Sequence, residues 1–114
     1  MDYCEKLSNE IRAYLMLFPE LNIEEKKMFR GLTFMINGKM CMSVNSNELM
    51  IRFAPSLHEK FCEQDGFRPM LTKDREYKGY GYVHCDFIKT QNELMHWLNI
   101  AMDYNHVLTT SGKV

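Results

Sequence analysis

Apolar residues recur at helical spacing near both ends of the chain. Near the start, at steps of mostly three and four, stand Tyr3, Leu7, Ile11, Tyr14, Leu15 and Phe18. Near the end, a second stripe is formed by Leu94, Trp97, Leu98, Ala101 and Tyr104. Each stripe predicts a helix with one buried face, the first ending at Pro19. Asp2 with Glu5, and Thr90 with Glu93, have the capping-box form that satisfies amide groups of a first helical turn.

The middle of the chain changes to an alternation of apolar and polar residues. This alternation runs from Met28 to Phe53, and two turn signals divide it, Asn37-Gly38 and Asn45-Ser46-Asn47. The pattern predicts three strands of an antiparallel meander. A charged connector at residues 24–27 is predicted to precede it.

The register of this meander depends on its turns. A two-residue loop at 37–38 would place Ile36 opposite Lys39 and mix apolar with polar residues. A three-residue loop over 36–38, with a bulge at its glycine, places Phe34 opposite Met40 and is therefore predicted. A four-residue loop over 45–48 continues the same face. The predicted buried row is Leu32, Phe34, Met40, Met42, Val44, Leu49, Ile51 and Phe53.

Three further elements complete the predicted fold. Pro55 suits a first helical turn and Gly66 a stop, so a short helix is predicted over 55–64. A strand is predicted over 67–71, and a fifth strand is indicated by the alternation of Tyr80, Tyr82 and His84. The order α-β-β-β-α-β-β-α predicts an α+β fold of two layers, with an antiparallel five-stranded sheet and helices on one face.

The composition fits one folded domain. The chain has 114 residues, 46% of them hydrophobic and 25% charged, and its formal net charge is -1. It is too apolar for intrinsic disorder and too balanced in charge for a global attraction to phosphate. A single domain is predicted over residues 1–105, followed by a flexible tail over 106–114.

The cysteine spacing and the absence of long apolar runs indicate in which cellular compartment the chain is found. Four widely spaced cysteines form no CxxC pair, which favours free thiols in a reducing cytoplasm. No run approaches the ~18 apolar residues of a membrane span, and the acidic start is unlike a signal peptide. A cytoplasmic chain without membrane attachment is therefore expected.

Histidines and cysteines offer two candidate chemistries. His58 and Cys62 stand four apart on a predicted helix, and His84 and Cys85 are adjacent, which are ligand types that zinc accepts. Only one pair shares a face, so buried thiols and no metal site are favoured. Cys85 could act as a nucleophile with His58 or His96. The sequence has neither a nucleophile elbow nor a glycine-rich phosphate loop, so no motif supports this pair. The chain is expected to be no enzyme and to bind no cofactor.

Basic residues gather in two places, the second of them near Tyr77, Tyr80 and Tyr82. The two clusters are Lys26, Lys27 and Arg30, and Arg68, Lys73, Arg75 and Lys78. Cations beside aromatic rings are typical of proteins that bind single-stranded nucleic acid. Because Asp74 and Glu76 interrupt the second cluster, nucleic-acid binding is the alternative and a solvated surface is favoured.

The second face of the meander is the more informative surface. Its predicted partner-binding residues are Met35, Lys39, Cys41, Met50 and Arg52. Methionines repack around partners, and an arginine fork can pair with a carboxylate or with backbone carbonyls. Coverage by the last helix or the tail is the competing interpretation. Met50→Glu is expected to leave the chain folded but to abolish self-association or partner capture.

Short motifs occur in a consistent order within a stretch of about two thirds of the chain. They are KMFRGLTF at 27–34, NGKM at 37–40, LMIR at 49–52, Gly66, YKGY at 77–80, and Glu93-Leu94 with Trp97. Their order and spacing resemble the TfoX (Sxy) N-terminal domain family, first associated with bacterial competence regulators. Arg30 stands where that family usually has a glycine. Full-length competence regulators carry a further C-terminal helical domain, and this chain is expected to be a stand-alone member.

The resemblance implies a secretion-chaperone-like two-layer domain and supplies no catalytic residues. The expected function is a non-catalytic regulatory or interaction module that associates with another protein or with a second copy. A nucleic-acid-associated transcriptional or competence regulator is the alternative.

Overall fold

The computed structural model describes residues 4–28 and 30–110. Its helices are α1 (Glu5–Leu15), α2 (His58–Cys62) and α3 (Gln91–Thr110). Its strands are β1 (Ile23–Met28), β2 (Gly31–Ile36), β3 (Lys39–Val44), β4 (Glu48–Arg52), β5 (Phe67–Thr72) and β6 (Arg75–His84). Short 3-10 turns, Pro55–Leu57 and Cys85–Phe87, precede α2 and α3. The described strands form one antiparallel sheet in the order β1-β2-β3-β4-β6-β5.

The predicted α+β class is confirmed, but the sheet has six strands and not five. The additional strand is β1, which occupies the predicted charged connector. It pairs with β2 from Ile23 opposite Ile36 to Met28 opposite Gly31. Every residue of β1 after Ile23 is exposed. An edge strand of this kind carries no apolar alternation that the sequence could reveal.

The first meander turn differs from the prediction. Ile36 lies opposite Lys39, so the loop has two residues, Asn37 and Gly38, with φ angles of 52° and 83°. Such a turn matches the twist of the flanking strands, and Asn-Gly is its preferred sequence. The bulge lies further along the pair, where Cys41 is the extra residue of β3. The predicted three-residue loop is therefore wrong. The apolar residues of the two strands are brought back to one face by the bulge within the strand pair and not by an extra residue in the loop.

The second meander turn agrees with the prediction. Val44 lies opposite Leu49, and Met42 opposite Ile51, as a four-residue loop requires. The side-chain oxygen of Asn45 accepts hydrogen bonds from the backbone N–H groups of Asn47, at 3.0 Å, and Glu48, at 2.7 Å. These bonds hold the loop in one conformation.

Helical and strand residues share one hydrophobic core on one face of the sheet. Ile11 of α1 and Leu98 of α3 are fully buried, in one cluster with Phe34 and Ile51 of the strands. At one end of this core, ring contacts with centroids 4.9 to 6.1 Å apart join four aromatic residues, Phe53, Phe61, Phe67 and Trp97. Burial of each such side chain stabilises the fold by roughly 1.5–3 kcal/mol.

The ends of the helices agree with one predicted cap and differ from the predicted tail. Thr90 and Glu93 form the predicted capping box: the Glu93 side chain accepts from Thr90 N at 3.0 Å, and the Thr90 hydroxyl accepts from Glu93 N at 3.1 Å. The Asp2 of the other predicted box lies outside the described residues. Helix α3 continues to Thr110, so residues 106–110 are helical where a tail was expected.

Asn105 explains this extension, because it is buried and its side-chain N–H donates to the Ile36 carbonyl at 3.1 Å. Residues 111–114 lie outside the described part of the chain. Among the described helices, none has both the length and the apolar character needed to cross a bilayer.

Candidate functional site

The strand register divides the sheet into two faces. Directly opposed residues of antiparallel strands point to the same side. Phe34 and Ile51 both lie opposite Met42, so they share the inner face that packs on the helices, as predicted. We call the other side the outer face. Its residues on the four central strands are Thr33, Met35, Met40, Ser43, Glu48, Met50, Arg52, Tyr80, Tyr82 and His84, and Glu24, Lys26 and Arg68 flank them on the edge strands.

Two of the predicted partner-binding residues do not belong to the outer face. Lys39 lies opposite Ile36, an inner-face residue, and is exposed at that end of the strand. Cys41 belongs to the core, with its Sγ 4.0 Å from the Sδ of Met102 on α3. Burial raises the pKa of the Cys41 thiol to about 12, although the positive charge of Arg52 acts in the opposite direction. The two-residue turn is the cause of both corrections, because it reverses the predicted facing of Lys39 and Cys41.

Met35, Met50 and Arg52 do lie on the outer face, but Met50 is only 1% exposed. It stands between Ser43 on β3 and Tyr82 on β6. Met35 and Arg52 are half-buried. The expectation that Met50→Glu leaves the fold intact is not compatible with this burial. The accessible methionine of the predicted set is Met35.

The centre of the outer face is closed by short polar side chains as well. Thr33 and Ser43 are both buried, and their hydroxyl groups hydrogen-bond at 2.8 Å. Met40, the residue opposite Met35, is 7% exposed. The centre of the outer face is therefore buried, and we call these buried residues, Thr33, Met40, Ser43 and Met50, its floor. The accessible side chains of the face lie around this floor.

Two arginines stack on tyrosines of β6. The Cζ of Arg52 lies 5.3 Å from the centre of the Tyr80 ring, and that of Arg68 lies 4.0 Å from the centre of the Tyr82 ring. The sequence prediction did not place these tyrosines on the partner surface, because it did not pair β6 with β4. The alternation of Tyr80, Tyr82 and His84 was the available signal.

An ion pair joins β4 to the edge strand β5. The Nε and Nη2 of Arg68 donate to the two carboxylate oxygens of Glu48, at 2.7 and 2.8 Å. These hydrogen bonds are the main reason why the pKa of the Glu48 carboxyl lies below its ordinary value of 4.5. Partial burial acts in the opposite direction and raises this pKa. Because the folded pKa is the lower one, the stabilisation is complete above pH 4.5 and is lost as pH falls through the folded pKa.

Glu48→Gln is expected to lower the free energy of unfolding at neutral pH by about 1 kcal/mol, since Arg68 is half-exposed and solvent screens the pair. Urea unfolding at a series of pH values should show that the difference in unfolding free energy between the variant and wild type disappears at acidic pH. Arg68→Gln, which removes the other half of the pair, should behave in the same way. A difference that stays constant with pH would contradict the role of the ion pair.

The two basic clusters lie at opposite edges of the sheet. Lys26 and Lys27 belong to β1, and Arg30 lies in the β1–β2 turn. The second cluster, Arg68, Lys73, Arg75 and Lys78, lies on β5, β6 and the turn between them. Five spacings of about 4.8 Å separate the edge strands by roughly 24 Å. The structure does not join these residues into one basic patch.

His58 belongs to one group of possible metal ligands, with Cys62 and Glu76, whose ligand atoms lie within 4.8 Å of one another. Its Nδ1 accepts a hydrogen bond from Gly79 N at 3.2 Å, so in the neutral ring Nε2 carries the proton and donates to Glu76 at 2.7 Å. A metal at Nε2 would force that proton onto Nδ1, against the Gly79 N–H. Desolvation, with the charges of Glu76 and Glu59, raises the pKa of the Cys62 thiol. These contacts fit a structural histidine.

His84, Cys85 and Asp86 form a second group at the end of β6. The Nδ1 of His84 accepts from Asp86 N at 3.1 Å and lies 3.9 Å from the Cys85 Sγ. His58 lies beside Gly79, roughly 20 Å from Cys85 along the strand, so the disfavoured candidate pair of Cys85 with His58 is not formed. The ring of His96 packs against Trp97, with centroids 5.1 Å apart.

The model of the TfoX N-terminal domain matches residues 16–104. The chain belongs to the TfoX N-terminal domain family. Comparisons with the curated proteins and with the solved structures found no match. The TfoX N-terminal match includes every strand of the sheet and most of α3.

The structure explains one TfoX N-terminal motif of this chain. Arg30 lies in the turn between β1 and β2 and has a φ of 60°. A glycine adopts that conformation without strain, so the usual family residue suits the turn better than arginine does. A Cβ on Gly31 would overlap the Val44 carbonyl oxygen and lie 2.7 Å from its carbon. The second motif glycine therefore permits close contact between β2 and β3.

Proposed function

We propose that this chain is a non-catalytic regulatory module that binds a protein partner through the outer face. Membership of the TfoX N-terminal domain family supports a regulatory role. The observation that carries the proposal is the unequal covering of the sheet. Helices pack on the inner face, whereas the half-buried side chains of the outer face include Met35, Arg52, Tyr80 and Tyr82.

The chemistry of these side chains suits protein association. Tyrosine, methionine and arginine are enriched in protein interfaces, while lysine is depleted. Met35 can adapt its shape to an apolar group, and Arg52 can pair with a carboxylate or with carbonyl oxygens. The buried floor of Met50, Thr33 and Ser43 gives these groups a rigid support.

Nucleic-acid binding is the second candidate, because three arginines lie over tyrosine rings. Besides the two outer-face pairs, the Cζ of Arg75 lies 5.6 Å from the centre of the Tyr77 ring. Stacking platforms with adjacent cations bind single strands. Glu48 neutralises Arg68, however, and the chain has a net charge of -1. These features favour the protein partner.

The cysteines support a reducing compartment for this association. Cys4, Cys41, Cys62 and Cys85 are all free thiols. We therefore place the proposed partner in the cytoplasm.

Capture from a lysate of the encoding organism tests the proposed face. Met35→Glu and Arg52→Glu should each abolish capture of the partner, because they place negative charge on the accessible rim of the face. Met16→Glu is the matched control, since Met16 is 80% exposed at the end of α1, on the helix side. Circular dichroism should confirm that all three variants fold. Equal capture by wild type and both outer-face variants would refute the proposed surface.

Salt dependence separates the two candidate functions. Binding of phosphates by either basic cluster should weaken steeply, by about tenfold or more, between about 50 and 200 mM salt. A contact based on Met35 and the tyrosines should change little over the same range. Titration of the purified partner, and of labelled single-stranded DNA, measures both slopes. A steep slope with DNA and no captured protein would favour the nucleic-acid candidate.

A further inference from the structure

The two edges of the sheet are built differently. The edge strand β5 contains Pro69, which has no backbone N–H, and its pairing with β6 is irregular between Pro69 and Met70. Both features hinder the addition of another strand. At the other edge, β1 contains no proline and pairs with β2 over six residues without a register shift. Edge β1 is therefore the one suited to strand addition.

The backbone groups of β1 alternate between β2 and solvent. In a hairpin with a two-residue turn, the pair next to the turn exchanges hydrogen bonds, and every second pair does so thereafter. Met28 is that residue, which makes the even-numbered positions face β2. The 2.8 Å hydrogen bond from Asn37 N to the Asn22 carbonyl continues this series. The N–H and C=O groups of Ile23, Glu25 and Lys27 consequently point away from the sheet.

These three outward-facing residues are centred on Glu25, which suits pairing with a second copy. A two-fold axis perpendicular to the sheet joins two β1 strands antiparallel and keeps the outer faces of both copies on the same side. Centred on Glu25, it uses all the outward groups in about six hydrogen bonds. Centring on Lys26 instead would leave Ile23 without a β1 partner residue.

The charges of β1 are complementary in this register. Glu24 of each copy lies opposite Lys26 of the other. Lys27 of each copy lies opposite Ile23 of the other, and the aliphatic part of the lysine can pack over the isoleucine side chain. The two Glu25 residues face each other, but the Arg12 of the same chain already binds each carboxylate through two 2.7 Å hydrogen bonds. Like-charge repulsion at the centre is therefore compensated.

We propose that the chain forms a weak homodimer by antiparallel pairing of two β1 strands centred on Glu25, with Glu24 of each copy against Lys26 of the other. The two sheets become one sheet of twelve strands, and their outer faces become continuous. This dimer does not depend on the partner-binding function proposed above. It is measured on the purified chain alone, so either proposal can fail without the other.

Charge exchange tests the register. Glu24→Lys and Lys26→Glu should each weaken self-association about 10-fold or more, because each creates two like-charge pairs. An equimolar mixture of these two variants should restore the dimer, since both pairs between positions 24 and 26 are then attractive. Sedimentation equilibrium from micromolar to millimolar concentrations measures the association. A monomeric wild type, unchanged association of the single variants, or no rescue in the mixture would overturn the proposal.

Backbone substitution tests the hydrogen-bonded edge itself. Lys27→Pro removes an outward N–H that β2 does not use, so it should abolish the dimer while thermal unfolding shows that the fold persists. Lys27→Ala keeps the N–H and should retain the dimer. Equal self-association of the two variants would show that the β1 edge is not the interface.

Discussion

Gly31→Ala is expected to lower the free energy of unfolding by about 3 kcal/mol or more. The added Cβ would overlap the Val44 carbonyl oxygen, and Asn45 Cα would lie only 3.1 Å away. These are backbone atoms of β3 and its following loop, so no side-chain rotation can relieve the collision. Separation of β2 from β3 would disturb the pairs on which the core depends. Urea unfolding followed by far-ultraviolet circular dichroism measures the loss.

Gly38→Ala is the matched control for this prediction. Gly38 has a φ of 83°, but no atom lies within 4 Å of a Cβ placed there. Its substitution should cost only the left-handed backbone conformation, about 1–2 kcal/mol. If the two variants were destabilised equally, the close approach of β2 to β3 would not be the reason for the glycine at position 31.

The β1 strand shows where reading of the sequence pattern fails. The strands β2, β3 and β4 are predictable because large apolar side chains of their inner face recur at every second position. Residues 24–27 are exposed on both faces, so their composition is that of a solvated connector. Only the backbone pairing with β2 makes them a strand, and backbone pairing leaves no mark on a charged sequence.

The first turn shows a second limit. Parity and turn chemistry disagreed there, and the prediction followed parity. In the structure the Asn37-Gly38 turn keeps its preferred form, and the bulge at Cys41 restores the apolar row. A bulge can lie at any point along a strand pair, so the sequence alone does not locate it. The exchange of Lys39 and Cys41 for Met40 on the outer face follows from the two-residue turn, and the bulge then returns Met42 to the inner face.

The outer face was recognised from its methionines, but its accessibility was not predictable. Met50 and Arg52 alternate in the same strand, yet one is buried and the other half-buried. The difference depends on the neighbouring strands, because Met50 lies between Ser43 on β3 and Tyr82 on β6, whereas Arg52 is paired with Tyr80 of β6 beyond the last β3–β4 pair. The crossover that inserts β6 between β4 and β5 is a long-range feature, and local periodicity contains no information about it.

Met50→Glu is expected to lower the free energy of unfolding by about 3–5 kcal/mol, because a carboxylate at a position 1% exposed must be buried charged or take up a proton. Met50→Leu keeps the volume and apolar character, and should cost less than about 1.5 kcal/mol. Met16→Glu, at a position 80% exposed, should change stability by no more than about 0.5 kcal/mol.

Thermal unfolding of these three variants, compared at equal pH, decides whether the floor of the outer face is closed in solution. A folded Met50→Glu as stable as wild type would mean that the side chain reaches solvent, and Met50 would then return to the set of partner-binding residues. A large loss confined to that variant leaves Met35, Arg52 and the two tyrosines as the groups that a partner can contact, because a residue that cannot accept a charge without unfolding the sheet is part of its support.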